Sequence, residues 1–272
     1  MKRFFAFGCS YVNYHYPTWA DILIEDLKHK NITGYNCGKI GSGNQLISSR
    51  IWELYATQNF SEQDLIIISW SSFFREDRYH TGNGWHTPGN IFFHKMTVPM
   101  KQNAYHYTDE NQWKDLLHCL LRDCAIITST LEGLKNTGAK VISTAVLDPY
   151  IDQDLINFSK DIKDLLDMYK LWLYPQIIPI QNYCYYHGIE RDNSRPKYKI
   201  KNDTTSWIIE DHATPLEHFN YLENVVCKEL DIILLDKTKN FAKEWDNKLH
   251  NNADGHYPVD NWCSKQPKWI IN

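Results

Sequence analysis

The chain contains no Cys-x-x-Cys pair among its 7 cysteines. An odd number of scattered cysteines makes neither a disulfide framework nor a zinc ribbon, so they read as free thiols in a reducing compartment. Glycine and proline are sparse, 12 and 10 in 272 residues, which excludes collagen-like and low-complexity chains. No apolar run approaches the ~18 residues a membrane-spanning helix needs, and no membrane role is expected. Basic charge is not in excess: 29 Lys+Arg against 33 Asp+Glu leave a net charge of −4, without the basic stripe of a nucleic-acid binder. The opening Met-Lys-Arg-Phe-Phe-Ala-Phe-Gly carries an apolar run too short for a signal peptide, so the expected location is the cytoplasm.

Aromatic residues, by contrast, are plentiful: 10 Trp, 17 Tyr and 11 Phe. Such rings carry large apolar areas with polar edges, which suits either a packed core or a platform for an amphipathic ligand such as a sugar. The length allows one large α/β domain or two small ones.

The apolar pattern alternates between short runs and helical periods. Residues 2–8 (KRFFAFG), 32–36 (ITGYN), 64–70 (DLIIISW) and 139–147 (AKVISTAVL) read as strands. The third is apolar throughout, as in a strand buried on both faces. Helical spacing marks residues 17–30, 44–58, 113–134, 152–173 and 215–235. Two stretches, 75–112 and 174–206, lack a period and read as long insertions, and residues 236–272 read as a polar surface extension of a domain spanning 1–235. This order predicts a doubly wound, flavodoxin-like α/β fold, a parallel sheet with helices on both faces. Ligands of such folds bind beyond the carboxyl ends of the strands.

Candidate chemistry sits at those ends. Strand one is followed by Gly8-Cys9-Ser10-Tyr11, a serine on a strand-to-helix turn. Strand two is followed by Asn36-Cys37-Gly38-Lys39-Ile40-Gly41-Ser42-Gly43-Asn44. That is neither a dinucleotide fingerprint nor a phosphate-binding Walker loop, but a glycine-rich turn able to present backbone N–H groups to an oxyanion. Strand three is followed by Ser71, Ser72 and Arg75, and near the end stands Glu210-Asp211-His212-Ala213-Thr214-Pro215-Leu216-Glu217-His218. A histidine beside acids and before a Pro-initiated helix is suited to general-base work. The histidines at 80, 86, 94 and 106 match no metal-ligand spacing, and neither a metal nor another cofactor is expected.

In this order the blocks resemble the SGNH/GDSL hydrolase family, closest to its compact bacterial and phage members. Gly8-x-Ser10 matches the first block, Asn36-x-Gly38-x-x-Gly41 the second, and His212 with Pro215 and His218 the last. The resemblance implies Ser10 as nucleophile, His212 as base and Gly41 as an oxyanion-hole glycine. Three positions depart from the family pattern. Cys9 stands where the family has Asp, no Asn follows strand three, and Ile209 occupies the acid position three residues before the histidine. Ser72 or Asn44 then becomes the substitute oxyanion donor, and Glu210 or Asp211 the acid.

The expected function is a Ser-His-acid esterase that removes an acyl group, acetyl by preference, from a carbohydrate or other small ester. Tyr11, Trp70, Arg75 and Trp85 are candidates to line its cleft. Two alternatives share these residues. One is a catalytically silent glycan-binding or viral assembly module on the same fold. The other is a sugar O-acyltransferase. The expected partner is a small-molecule or glycan ester, not nucleic acid.

Overall fold

The computed structural model describes residues 1–73, 75–81, 84–87, 112–150, 160–186, 195–200, 203–209, 212–251 and 266–269. Its centre is a parallel sheet of β1 (Arg3–Phe7), β2 (Thr33–Asn36), β3 (Asp64–Trp70) and β6 (Lys140–Ala145), in the order β2-β1-β3-β6. The register sets Phe5 of β1 beside Tyr35 and Ile66, and Ile67 of β3 beside Ile142.

Period-two alternation explains why the two central strands, β1 and β3, carry apolar residues at successive positions. Phe4, Ala6, Leu65 and Ile67 enter one buried cluster, while Phe5, Phe7, Ile66 and Ile68 enter another. The first is closed by α1 (Trp19–Lys28), α6 (Ile180–Tyr186) and α7 (Pro215–Tyr221), the second by α2 (Asn44–Gln58), α3 (Gln112–Lys135) and α4 (Lys160–Met168). A sheet packed on both faces has no place for a polar side, so DLIIISW carries large apolar residues at successive positions. Each fully buried one contributes about 1.5–3 kcal/mol. The result is the expected doubly wound α/β architecture, with helices on both faces.

Several expectations are corrected. The segment read as one helix over 152–173 is broken at Tyr169 into α4 and the short α5 (Lys170–Leu173), and residues 151–159 lie outside the described set. The stretch 174–206, read as irregular, holds α6 and an antiparallel pair, β7 (Lys197–Ile200) and β8 (Asp203–Ile209). The insertion after β3 opens with a hairpin of β4 (Arg78–His80) and β5 (Gly84–His86). Helix α7 continues through a π turn at Leu222–Val226 into α8 (Cys227–Leu230), and stops at Asp231, whose φ of 53° is a left-handed cap.

Beyond it lies α9 (Asp236–His250), in the segment read as unorganised. It packs on α1 and α7. Asp26 of α1 explains the docking: its Oδ1 accepts the Leu235 N–H at 2.8 Å and the Thr238 hydroxyl at 2.7 Å, while Oδ2 pairs with Lys30 at 2.6 Å. These donors hold the buried Asp26 carboxyl below the usual carboxylate range despite its desolvation. Among the described residues no helix is long and apolar enough to cross a membrane.

Candidate active site

Strand β1 delivers the chain to a tight turn, where the carbonyl of Cys9 accepts the N–H groups of Val12 and Asn13, both at 3.0 Å. Only glycine fits just before it. A Cβ on Gly8 would lie 2.4 Å from Val12 Cγ2 and 2.9 Å from the Ser69 carbonyl. Ser10 sits on this turn at the carboxyl edge of the sheet, 4 % exposed.

His212 reaches it from the far end of the chain. Its Nε2 lies 2.9 Å from Ser10 Oγ, across 202 residues of sequence. Just after the base, the backbone is fixed by a capping box at the start of α7. The Thr214 hydroxyl accepts from Glu217 N, and the Glu217 carboxylate accepts from Thr214 N at 2.6 Å. The fork of Arg195 grips both Glu217 oxygens at 2.9 and 3.1 Å, and donates to the His212 carbonyl at 2.6 Å. Aromatic rings from the nucleophile turn meet the imidazole: Tyr11 at a centroid distance of 4.9 Å and Tyr14 at 4.2 Å. Sequence reasoning missed Arg195 and Tyr14.

The glycine-rich turn is built against the serine turn. Asn36 donates to the Val12 carbonyl at 2.6 Å and to Asp21 at 2.9 Å, and its Oδ1 accepts the Gly38 N–H. A Cβ on Gly38 would meet Asn13 Cβ at 2.9 Å. The Lys39 N–H donates to the Gly8 carbonyl at 3.0 Å, the Ser42 hydroxyl lies within reach of both the Lys39 and Gly8 carbonyls at 2.7 and 3.1 Å, and Gly41 takes a φ of 79°, a conformation glycine adopts without strain. Among the described residues, no acceptor takes a hydrogen bond from the backbone N–H of Ser10 or of Gly41.

The other expected donors fare differently. Both hydrogens of the Asn44 amide are used, one on the Ser71 carbonyl at 3.2 Å and one on Asp123 at 2.8 Å, and its oxygen accepts the Ser71 N–H. The Asn44 side chain therefore splices α2 to the end of β3 and has no amide hydrogen left for an oxyanion. Ser72 follows at the sheet edge, half-buried. Of the residues expected to line the cleft, Trp70 and Tyr11 are buried, Tyr11 with its ring against the His212 imidazole. Trp70 is buried and donates its indole N–H to Ser143 at 3.1 Å. Tyr11 packs in the core with its hydroxyl accepting from Gln181. Arg75 donates to the Ser42 carbonyl at 2.9 Å. Trp85 stands edge-on to Tyr79, and its carbonyl accepts from Lys39, so the β4–β5 hairpin lies against the glycine-rich turn. Glu210 and Asp211 lie outside the described residues.

Behind the turn is a buried charged network. Asp77 accepts the Gly43 and Leu46 N–H groups at 2.8 and 2.9 Å, capping α2. Asp123 pairs with Arg122, which also holds Glu76. Burial pushes the Asp123 carboxyl up to about 7, against the pull of Arg122 and Asn44. His218 is fully buried, and its ring is driven down to about 3 by desolvation and by the neighbouring His212. Among the described residues no group of three or more His, Cys, Asp or Glu could hold a metal ion.

No protein-family model and no curated protein matches the chain. Among solved structures it is similar to a GDSL-like lipase from Bacteroides thetaiotaomicron, at 14% identity and a TM-score of 0.38, over 85% of this chain and 88% of that one. It is also similar to a protein assigned as an acylhydrolase from Bacteroides fragilis, at 14% identity and a TM-score of 0.37, over 85% of this chain and 86% of that one.

Proposed function

We propose that the protein is a serine ester hydrolase in which Ser10 is the nucleophile and His212 the general base. The observation that carries this reading is the 2.9 Å approach of His212 Nε2 to Ser10 Oγ, made by two loops from opposite ends of the chain at the carboxyl edge of a parallel sheet. Serine is a weak nucleophile until a base takes its proton, and imidazole is the side chain suited to that at neutral pH.

In the proposed cycle Ser10 Oγ attacks the ester carbonyl as its proton passes to His212 Nε2. The C–O bond to the alcohol then breaks, and His212 returns the proton to the leaving alkoxide. Water repeats the sequence on the acyl-enzyme, releasing the acid and restoring Ser10. The N–H groups of Ser10 and Gly41 receive the negative charge on the carbonyl oxygen, with the Ser72 hydroxyl as third donor. Glu210 or Asp211 orients the imidazole. The substrate is an O-acylated, by preference O-acetylated, carbohydrate or other small ester. Supporting it are the exposed Tyr79 ring and the Trp85 ring of the hairpin that lies on the glycine-rich turn.

A fluorophosphonate probe, which traps an activated serine, tests the assignment. Wild-type protein is expected to label and to turn over p-nitrophenyl acetate. Ser10→Ala is expected to abolish labelling and lower turnover by about a thousandfold or more, and His212→Ala by a similar factor. Labelling that survives Ser10→Ala would overturn the nucleophile. No labelling of the wild type would turn the reading toward a silent binding module.

A further inference from the structure

The nucleophile turn runs on as Tyr11-Val12-Asn13-Tyr14-His15-Tyr16, and all three tyrosines of this segment meet the loop that carries the base. Tyr16 is fully buried and donates its hydroxyl to the carbonyl of Ala213, the residue after the base, at 3.1 Å. Tyr14 stands edge-on to Tyr16, with centroids 5.0 Å apart and planes at 79°, so its orientation is set by an immobile ring. Tyr14 in turn stacks on the His212 imidazole, with centroids 4.2 Å apart and planes at 20°. One short segment therefore supplies the nucleophile, the anchor of the base's backbone and a ring against the base itself.

We propose that Tyr14 is the positioning residue of the base: its ring fixes the plane of the His212 imidazole, and its π face stabilises the imidazolium formed when the Ser10 proton arrives. The proposal rests on the hydrolase reading for its catalytic consequence. A neutral imidazole gains only packing from the ring, whereas the cation gains the attraction of the ring quadrupole as well. The contact is thus stronger once the proton has moved, which is the condition for it to accelerate the reaction.

Of the other groups around His212, only the Tyr11 ring shares this chemistry, and it stands farther off and less parallel, with centroids 4.9 Å apart and planes at 33°. From the nucleophile turn come the Cys9 thiol, Ser10 and Tyr11, and from α7 the buried His218, whose own charge would oppose the imidazolium. Arg195 bears on the His212 carbonyl, and its charge is matched by Glu217. The contribution of Tyr14 is a property of an aromatic ring and needs no hydroxyl, so phenylalanine should replace it and an aliphatic side chain should not.

The test reads His212 directly. In a Ser10→Ala background the histidine ring signals are titrated by NMR, with His212 identified by its loss in Ser10→Ala/His212→Gln. Adding Tyr14→Phe is expected to leave the His212 midpoint in place, and adding Tyr14→Leu to move it down by about half a pH unit or more. With Ser10 intact, Tyr14→Leu is expected to lower kcat about fivefold to tenfold with KM nearly unchanged, while Tyr14→Phe stays within twofold. Tyr14→Met repeats the measurement if the leucine variant melts early. Identical midpoints in the Phe, Leu and Met variants overturn the proposal. A protein that never labels at Ser10 but whose His212 midpoint moves with Leu and not with Phe keeps the stack and loses only the hydrolase reading.

Discussion

Arg195 holds a loop to which it does not belong. Its guanidinium is buried, its two outer nitrogens meet both oxygens of Glu217, and one also donates to the carbonyl of the base. Lysine offers a point charge and cannot make this fork. Arg195→Met leaves the Glu217 carboxylate largely buried without its counter-charge, and removing one partner of such a pair costs about 3 kcal/mol or more. Urea denaturation is expected to show that loss. Arg195→Met/Glu217→Gln is expected to lose less than the sum of the two single variants, because the neutral amide needs no counter-ion. Additive losses would show that the two side chains act independently. Sequence alone could not supply Arg195, because a single arginine in an aperiodic stretch carries no local signal of its partner. Ser10 and His212 could be singled out because their signals are local, a serine at a strand end and a histidine beside acids before a Pro-initiated helix, and the structure brings the two side chains within 2.9 Å. The Asn44 side chain was misread for the converse reason: an asparagine opening a helix beside a glycine-rich turn looks like a free donor until its two tertiary acceptors are seen.

Helix α2 starts without a capping side chain of its own, since its N-cap is Gly43. The acceptor comes from Asp77, ahead of the β4–β5 hairpin, which takes the Gly43 and Leu46 N–H groups. A Cβ on Gly43 would press to 2.8 Å from that carboxylate, so the bare N-cap and the distant cap are one solution. Asp77→Ala is expected to cost about 1–2 kcal/mol, as loss of a helix cap does. It should also speed amide exchange at Gly43 and Leu46, with Asp77→Asn intermediate. Unchanged exchange at both amides would show that the cap is not holding the helix. The same dependence on distant partners decides which elements the sequence reveals. Strands β1 and β3 and helix α2 show in local apolar pattern. Helix α9 does not, because charged and polar residues make up most of it and its apolar contribution to the core is slight, Ala242 and Leu249 buried and Phe241 half-buried. Nor does the β7–β8 pair, whose residues KYKI and DTTSWII carry mixed polarity.

Across the whole molecule, buried ionisable groups set opposing pH dependences. His218 has a folded value near 3 against an ordinary 6.5, so the unfolded chain binds its proton first and stability falls as pH drops below about 6.5. Asp123, raised to about 7 from 3.8, runs the other way: its contribution is full at low pH and is lost as pH rises through 7. Asp77, also raised by burial, acts in the same sense as Asp123. The slopes offset one another between about pH 4 and 6.5, so the stability of the wild type alone conceals both. The difference between His218→Leu and wild type isolates the histidine. Neither ring nitrogen of His218 has a hydrogen-bond partner among the described residues, so exchanging it for an apolar side chain strands no other polar group. The two proteins should therefore be similar in urea denaturation at pH 7.5. Below pH 6.5 the variant should gain on the wild type by roughly 1.4 kcal/mol per pH unit, reaching about 2 kcal/mol at pH 5. A difference that stays constant from pH 7.5 to pH 5 would mean that the His218 ring is protonated as readily in the folded protein as in the unfolded chain. Burial beside His212 would then not be what keeps it neutral.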